Sequence, residues 1–337
     1  MVKSGKDWDL RTDHAGAAGG KRHWLDGIMG VVVGDALGCP VQFMDREEIA
    51  GRSQGPVTGM EGHGTYDMPA GTWTDDGSMT LALLDSIRMC GEIRLTDIME
   101  RFGRWLTEGE YTPFGQAFDI GGGTMRSIER YLREHDVSSC GGTTAHDNGN
   151  GSLMRTMPVC LYCFERQESG TDDTEVIAQI HAVSGLTHNH LRAKIACGLY
   201  YFMIRSILNG SGSLRERCQA GLDAGFAFYD RKVENRTELA YYGRLRDLTA
   251  FSELPEAQIR SSGYVVDALE AAVWSLITTD TFRDCLLRAV NLGDDTDTIA
   301  AIAGGLAGLY YGYGGIPAEW LTVLQRRGQI EDMCRKM

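Results

Sequence analysis

Proline is scarce in this chain, seven in 337 residues, against 43 glycines. Alternating apolar and polar stretches joined by hairpin turns are lacking, which argues against a strand-rich fold. No run of eighteen apolar residues occurs, so no membrane-spanning helix is expected. The opening stretch MVKSGKDWDLRTDHAGAAGGKRH has no apolar centre and does not read as a secretory signal. Residues 1–20 read as a polar, disordered leader and residues 21–337 as one domain. The nine cysteines are odd in number and scattered through apolar stretches, which is no disulfide framework. They fit reduced thiols in a cytoplasmic protein. Cys160 and Cys163 form a C-x-x-C without a second pair at zinc-finger spacing, and read as two buried thiols on an apolar segment. Positive charge is also in deficit, 33 Lys and Arg against 46 Asp and Glu, for a net −13. That balance disfavours non-specific binding to nucleic acid or an anionic membrane. It leaves open a small anionic ligand in a local pocket.

What the chain does contain is helical periodicity and enough apolar residues, 43%, for a sizeable core. Residues 22–37 place Trp24, Ile28, Val31, Val32 and Ala36 on an inner face. Similar periodicity predicts helices over 78–90, 96–107, 124–133, 173–183, 191–209, 213–229, 264–277, 281–291, 298–311 and 317–327. The fold class is all-α, a compact helical bundle with long functional loops. Residues 230–262 are more charged and less periodic, and read as a surface excursion.

Two acid clusters stand out, Thr74-Asp75-Asp76 in GTWTDDGSMT and Asp294-Asp295-Thr296-Asp297-Thr298 in NLGDDTDTIA. Each precedes a small-residue-rich run that reads as a buried helix. Asp and Thr are good N-caps, but capping needs one such residue rather than three in a row. No Lys or Arg lies nearby in sequence, which leaves a salt bridge from a distant segment as the bland alternative. Asp75, Asp76, Asp295 and Asp297 carry about four negative charges, and carboxylate and hydroxyl oxygens suit hard divalent ions. Two Mg²⁺ or Mn²⁺ would balance them. If the clusters share such a site, the chain closes on itself as one compact domain.

Two glycine-rich turns accompany the acids. FDIGGGTMRS (118–127) sets three glycines before a helix, where free N–H groups would hold a phosphate or simply make a flexible turn. DNGNGSLMRTMPV (147–159) offers similar donors, and its Arg155 would pair with a phosphate or, more commonly, with an internal acid. His188 and His190, two apart, would not face the same way on a helix. One of them near a ligand and an ordinary core or surface histidine are both open readings.

Taken together, GVVVGDALGCPVQF (30–43), AGTWTDDGSMTLALLDS (70–86), FDIGGGT (118–124), NGNGSLMRTMPV (148–159), LTHNH (186–190) and NLGDDTDTIAAIAGGLAG (291–308) resemble the ADP-ribosylglycohydrolase family. The matches keep the family's order over roughly residues 24–325. The resemblance implies an orthogonal all-α fold with a dinuclear Mg²⁺ or Mn²⁺ cleft. Its metal ligands would be Thr74, Asp75, Asp76, Asp295, Asp297 and Thr298, while Asp294 stands where many relatives have glycine. Gly121, Gly122, Gly123, Thr124, Asn150, Gly151 and Ser152 would hold the diphosphate and ribose, with His188 beside the ADP-ribose. Asp75, Asp76, Asp119 and Gln42 would be the catalytic positions. The implied reaction is hydrolysis at the anomeric carbon of the distal ribose through an oxocarbenium-like transition state. The implied partner is a mono-ADP-ribosylated protein or a small ADP-ribose conjugate, with arginine preferred on the leaving side; the protein itself is expected to be a monomer with neither a membrane nor a nucleic-acid partner.

Two positions depart from the family pattern. Gln42 stands where relatives often have Glu and cannot act as a base. The loop Gly121-Gly122-Gly123-Thr124 is smaller than the common IGNTT form. The first departure keeps alive a non-catalytic, ADP-ribose-binding reading. A third reading is a metal-dependent phosphohydrolase that cleaves the diphosphate.

Overall fold

The computed structural model describes residues 19–167 and 172–337. Most of the expected leader therefore lies outside the described residues. The helices in chain order are α1 (Gly19–Gly38), α2 (Arg46–Gly51), α3 (Asp75–Cys90), α4 (Leu95–Glu108), α5 (Gly122–Glu134) and α6 (Met157–Arg166). They continue with α7 (Asp173–Gly185), α8 (Leu191–Asn209), α9 (Leu214–Asp230), α10 (Arg236–Leu239) and α11 (Leu248–Ser252). The chain closes with α12 (Val265–Ile277), α13 (Phe282–Val290), α14 (Thr296–Tyr311), α15 (Ala318–Val323) and α16 (Arg327–Arg335). Among the described residues no strand forms, only isolated bridges such as Gly142 to His188 and Gly149 to Tyr264.

The most extensive helix pair is α1 with α14. Glycines recur every fourth residue on one face of α1, at Gly30, Gly34 and Gly38. Opposite them on α14 lie Gly304, Ala300 and Asp297. A Cβ at Gly30 would fall on the Gly304 carbonyl, one at Gly34 on the Ala300 carbonyl, and one at Gly38 on the backbone of Asp297. Backbone therefore packs directly on backbone. Trp24, Ile28, Val31, Val32 and Ala36 are buried as the periodicity predicts. The stretch Arg22–Val41 is long and apolar enough to cross a membrane by composition, but 94% of it is buried inside the protein, as a core helix would be.

Several sequence expectations need correction. The acids Asp75, Asp76 and Asp297 do not precede their helices; they occupy the first turns of α3 and α14. The 230–262 segment is no surface excursion. It folds into short helical turns that bury Leu239, Tyr242, Leu245, Leu248, Phe251 and Ile259. Its apolar residues are spaced too irregularly for one helix but serve short turns well. The expected helix 317–327 breaks after Val323, because Arg326 adopts a left-handed backbone (φ 46°) and its side chain bonds to the Pro113 carbonyl. The apolar PVCLYCF run is helix α6, with Pro158 in its first turn, where proline is tolerated. All nine cysteines are free thiols.

The α1–α14 contact yields a direct test. Gly34→Ala should lower stability by about 3 kcal/mol or prevent folding, since a backbone carbonyl cannot step aside as a side chain can. Gly51→Ala, where an added Cβ meets nothing, should be neutral within ~0.5 kcal/mol. Chemical denaturation of the two variants compares them, and equal midpoints would refute the packing argument.

Candidate active site

The first turns of α3 and α14 meet, although they lie more than two hundred residues apart in sequence. Each cluster's threonine donates to the other cluster's aspartate. Thr74 Oγ1 lies 3.2 Å from Asp297 Oδ2, and Thr298 Oγ1 lies 3.3 Å from Asp76 Oδ2. Thr74, Asp75, Asp76, Asp297 and Thr298 are buried, Asp295 is partly buried and Asp294 is exposed. The two helix N-termini supply favourable dipoles to these carboxylates. Neither Thr74 nor Asp295 makes a side-chain capping bond to its helix.

Capping of α3 falls to a residue outside both clusters. Asp35, fully buried on α1, accepts the Thr74 N–H at 2.8 Å and the Gly77 N–H at 2.6 Å. The sequence signal for it was a lone acid in the apolar run GVVVGDALG. Asn150 steadies an acid of the second cluster without capping its helix. Its Nδ2 donates to Asp295 Oδ2 at 2.8 Å.

Among the described residues no Lys or Arg forms an ion pair with Asp35, Asp75, Asp76, Asp295 or Asp297, so the distant salt bridge is absent there. Asp76 Oδ1 is buried without any hydrogen-bond partner. Burial, followed by mutual repulsion, holds the carboxyls of Asp75, Asp76 and Asp297 well above the ordinary carboxylate range. Burial lifts Asp35 to about 7 in spite of the backbone bonds that oppose it. No three carboxylate, imidazole or thiol groups among the described residues already close on one point; the threonine hydroxyls are what bridge the clusters. Carboxylate oxygens with no donor, flanked by neutral hydroxyls, are a donor set that fits hard divalent cations.

The remaining predicted residues fall around this centre. Asp119 has a left-handed backbone (φ 56°), and its Oδ1 accepts the Tyr66 hydroxyl at 2.5 Å while its Oδ2 is buried and unpartnered. The Asp75 and Asp297 charges add to the upward push on the Tyr66 phenol, behind burial and Asp119 itself. Tyr66 belongs to the site, and nothing in its local sequence marks it. Gln42 is buried with Oε1 unpartnered, and its backbone carbonyl accepts Thr65 Oγ1 at 2.7 Å.

Gly121 precedes α5, which starts at Gly122 rather than near Thr124, so the N–H groups of Gly122, Gly123 and Thr124 open the helix. The Gly121 backbone also bonds to Asp75. Gly123, Gly149 and Gly151 all face His188: a Cβ on Gly149 would lie 3.2 Å from its Nε2, and one on Gly151 2.9 Å from its Cε1. Burial, with Arg155 nearby, depresses His188 to about 3, so the ring is neutral. Arg155 bonds to the Gly151 carbonyl and, at 2.9 Å, to Thr187 Oγ1, which lies 2.8 Å from His188 Nδ1. With its oxygen already accepting, Thr187 can give its proton to Nδ1, leaving Nε2 to carry the ring proton toward the glycines. Among the described residues Arg155 pairs with no acid, and its Nε is buried without a hydrogen-bond partner. Two turn residues are engaged inward: the Asn150 N–H bonds to the Gly263 carbonyl, and Ser152 Oγ takes the Ser184 hydroxyl at 2.9 Å. His190 points elsewhere, to Asn148 at 3.0 Å, and caps α8.

Comparison with known proteins gives a consistent result. The profile of the family described as ADP-ribosylglycohydrolase matches residues 21–337. ADP-ribosylarginine hydrolase Tri1 of Serratia proteamaculans (strain 568) is 32% identical over 310 residues, covering 92% of this chain and 77% of that protein. The ADP-ribosyl-[dinitrogen reductase] glycohydrolase of Rhodospirillum rubrum is 32% identical over 307 residues, covering 91% and 92% respectively. A solved structure described as an ADP-ribosylglycohydrolase-related protein complex superposes with a TM-score of 0.75 at 29% identity, over 95% of this chain and 98% of that one.

The electrostatics predict an unusual response to pH. Carboxyls raised in the folded state keep protons that the unfolded chain releases, so their stabilisation is full below about pH 4 and is lost as pH rises; for Asp35 the loss comes as pH passes about 7. His188 works in the opposite direction below about pH 6.5. Between pH 8 and 6.5 the metal-free protein should therefore gain melting temperature on acidification, by a few degrees. Millimolar Mg²⁺ should raise the melting temperature more at pH 8 than at pH 6.5. Asp76→Asn should melt roughly 3 °C higher than the parent without metal and lose the Mg²⁺ response. A metal-free protein that melts lower at pH 6.5 than at pH 8 would contradict this account.

Proposed function

The chain belongs to the ADP-ribosylglycohydrolase family, and from that premise we propose that it is a divalent-cation-dependent hydrolase that frees ADP-ribose from arginine side chains of mono-ADP-ribosylated protein. The observation that carries this reading is the crossed pairing of Thr74 with Asp297 and of Thr298 with Asp76, around carboxylates that have no cationic partner among the described residues. Thr74, Asp75, Asp76, Asp295, Asp297 and Thr298 would hold two Mg²⁺ or Mn²⁺. When bound, such ions supply Lewis-acid chemistry and orient ribose hydroxyls.

The rest of the site supplies binding and proton handling. The N–H groups opening α5 and the protonated Nε2 of His188 suit a diphosphate. Asp119, held by Tyr66 through one oxygen, keeps the other oxygen for the reacting groups. In the proposed step, water adds its oxygen to the anomeric carbon and the carbon–nitrogen bond breaks, its electron pair passing to the guanidine nitrogen. The proton lost by water moves through Asp119 to that nitrogen. On the leaving side arginine is preferred over serine. The relatives named for arginine and for dinitrogen reductase agree with that preference.

Gln42 supports a second reading. Its orphaned amide oxygen stands where a carboxylate would serve as base, which fits a protein that binds ADP-ribose and turns it over slowly. Incubation with arginine-linked, serine-linked and O-acetyl-ADP-ribose substrates, with and without EDTA, discriminates between the readings. We expect intact ADP-ribose from the arginine linkage and none with EDTA. Tight ADP-ribose binding without release would favour the second reading, and AMP with ribose phosphate would indicate attack at phosphorus. Asp119→Asn should lower kcat by about 10²–10³-fold with little change in KM. Wild-type turnover in that variant would remove Asp119 from the reaction.

A further inference from the structure

Phe43 combines two features that rarely coincide. It is a bulky residue in the left-handed backbone region (φ 67°), and its side chain is 65% exposed. Phenylalanine is a genuine outlier there, and such conformations persist only where neighbouring structure over-determines them. A single exposed apolar residue needs no explanation. One held in a backbone state that glycine or asparagine would adopt more readily does.

The over-determination is visible. The Phe43 N–H donates to the Asp294 carbonyl at 2.7 Å, and the Asp294 N–H returns a bond to the Met44 carbonyl at 2.8 Å. Asp294 is itself left-handed (φ 59°). Arg46 then staples this corner, donating Nε to the Leu292 carbonyl and Nη1 to the Glu256 carbonyl, each at 2.6 Å, and Nη2 to the Ile259 carbonyl. The ring is presented on a rigid mount.

Its place relative to the site follows from a series of backbone bonds. Residues 43 and 44 pair with 294, Asp295 with Ser261, Gly263 with Asn150, and Val265 with Asn148. The acids of the second cluster therefore lie between Phe43 and the glycine turns of the phosphate side. The side of the site that carries Phe43 also carries Gln42 and, through the Gln42–Thr65 bond, the loop that holds Tyr66 against Asp119. Phe43 is thus next in sequence to Gln42 and one backbone bond from the second acid cluster, with its ring in solvent.

We propose that Phe43 is a specificity-determining residue whose fixed ring packs against the polypeptide surrounding the modified arginine, so that the enzyme prefers a protein conjugate over free ADP-ribosylarginine. This rests on the hydrolase reading above. The aromatic face suits the aliphatic stem of the arginine, its guanidinium plane and its flanking side chains.

The test compares wild type, Phe43→Gly and Phe43→Tyr on an ADP-ribosylated protein and on free ADP-ribosylarginine, with melting temperatures for each. Phe43→Gly should melt at the wild-type temperature or about 2 °C higher, because the strain is relieved. Its kcat/KM preference for the protein conjugate should fall about tenfold, through KM rather than kcat. Phe43→Tyr should keep the preference. An unchanged preference in Phe43→Gly, or a lower melting temperature with parallel losses on both substrates, would overturn the proposal. If the wild type releases ADP-ribose from neither substrate, the hydrolase reading fails instead. Calorimetric affinities for an ADP-ribosylated peptide and for ADP-ribose then decide the Phe43 question by the same ratio.

Discussion

Everything in this molecule depends on how closely α1 and α14 approach. Glycine every fourth residue on α1 lets the two backbones touch, and that contact sets the register between the chain's first and last thirds. The C-terminal end of α1 then lies against the first turn of α14, where Thr296 donates to the Gly38 carbonyl at 2.8 Å. The same helix sends Asp35 sideways to cap α3. One rail thus positions both acid clusters. A side chain at its glycines would separate them as surely as a change in the acids themselves.

The price of that placement is electrostatic. Buried carboxylates repel one another, and here desolvation and like charges act together, with no basic partner among the described residues to relieve them. The structure answers with weak measures, two helix N-termini, crossed threonine hydroxyls and a few backbone N–H groups. These orient the oxygens more than they neutralise them. A donor set left this unbalanced does little for stability, and its chemistry fits hard divalent cations.

Around the acids sits a layer of residues that act through others. Asp35 holds the α3 turn, Asn150 holds Asp295, and Tyr66 holds Asp119. His188 forms the floor shared by Gly123, Gly149 and Gly151, and is kept neutral by burial. Two strained corners, at Asp119 and at Phe43, lie beside the acids rather than at the periphery. The relatives at 32% identity and the solved structure at a TM-score of 0.75 share this chain's framework over nearly its whole length.

The helices of the core were legible because burial imposes a 3.6-residue period on apolar side chains, as α1, α8 and α12 illustrate. The acid clusters were legible because carboxylates in succession exceed what a helix cap needs. Helix α2 was not legible: its six residues are too few for periodicity, and only the structure shows the capping box of Asp45 and Glu48 that starts it. The sequence therefore determined the all-α class and the chemistry of the oxygens. Tertiary structure alone decided which oxygens meet, since the partners of Thr74 and Thr298 lie more than two hundred residues away. It alone recruited Tyr66, turned Ser152 inward and broke the last helix at Arg326. Those outcomes depend on what packs against each residue from a distant segment, and no local pattern of side chains encodes that.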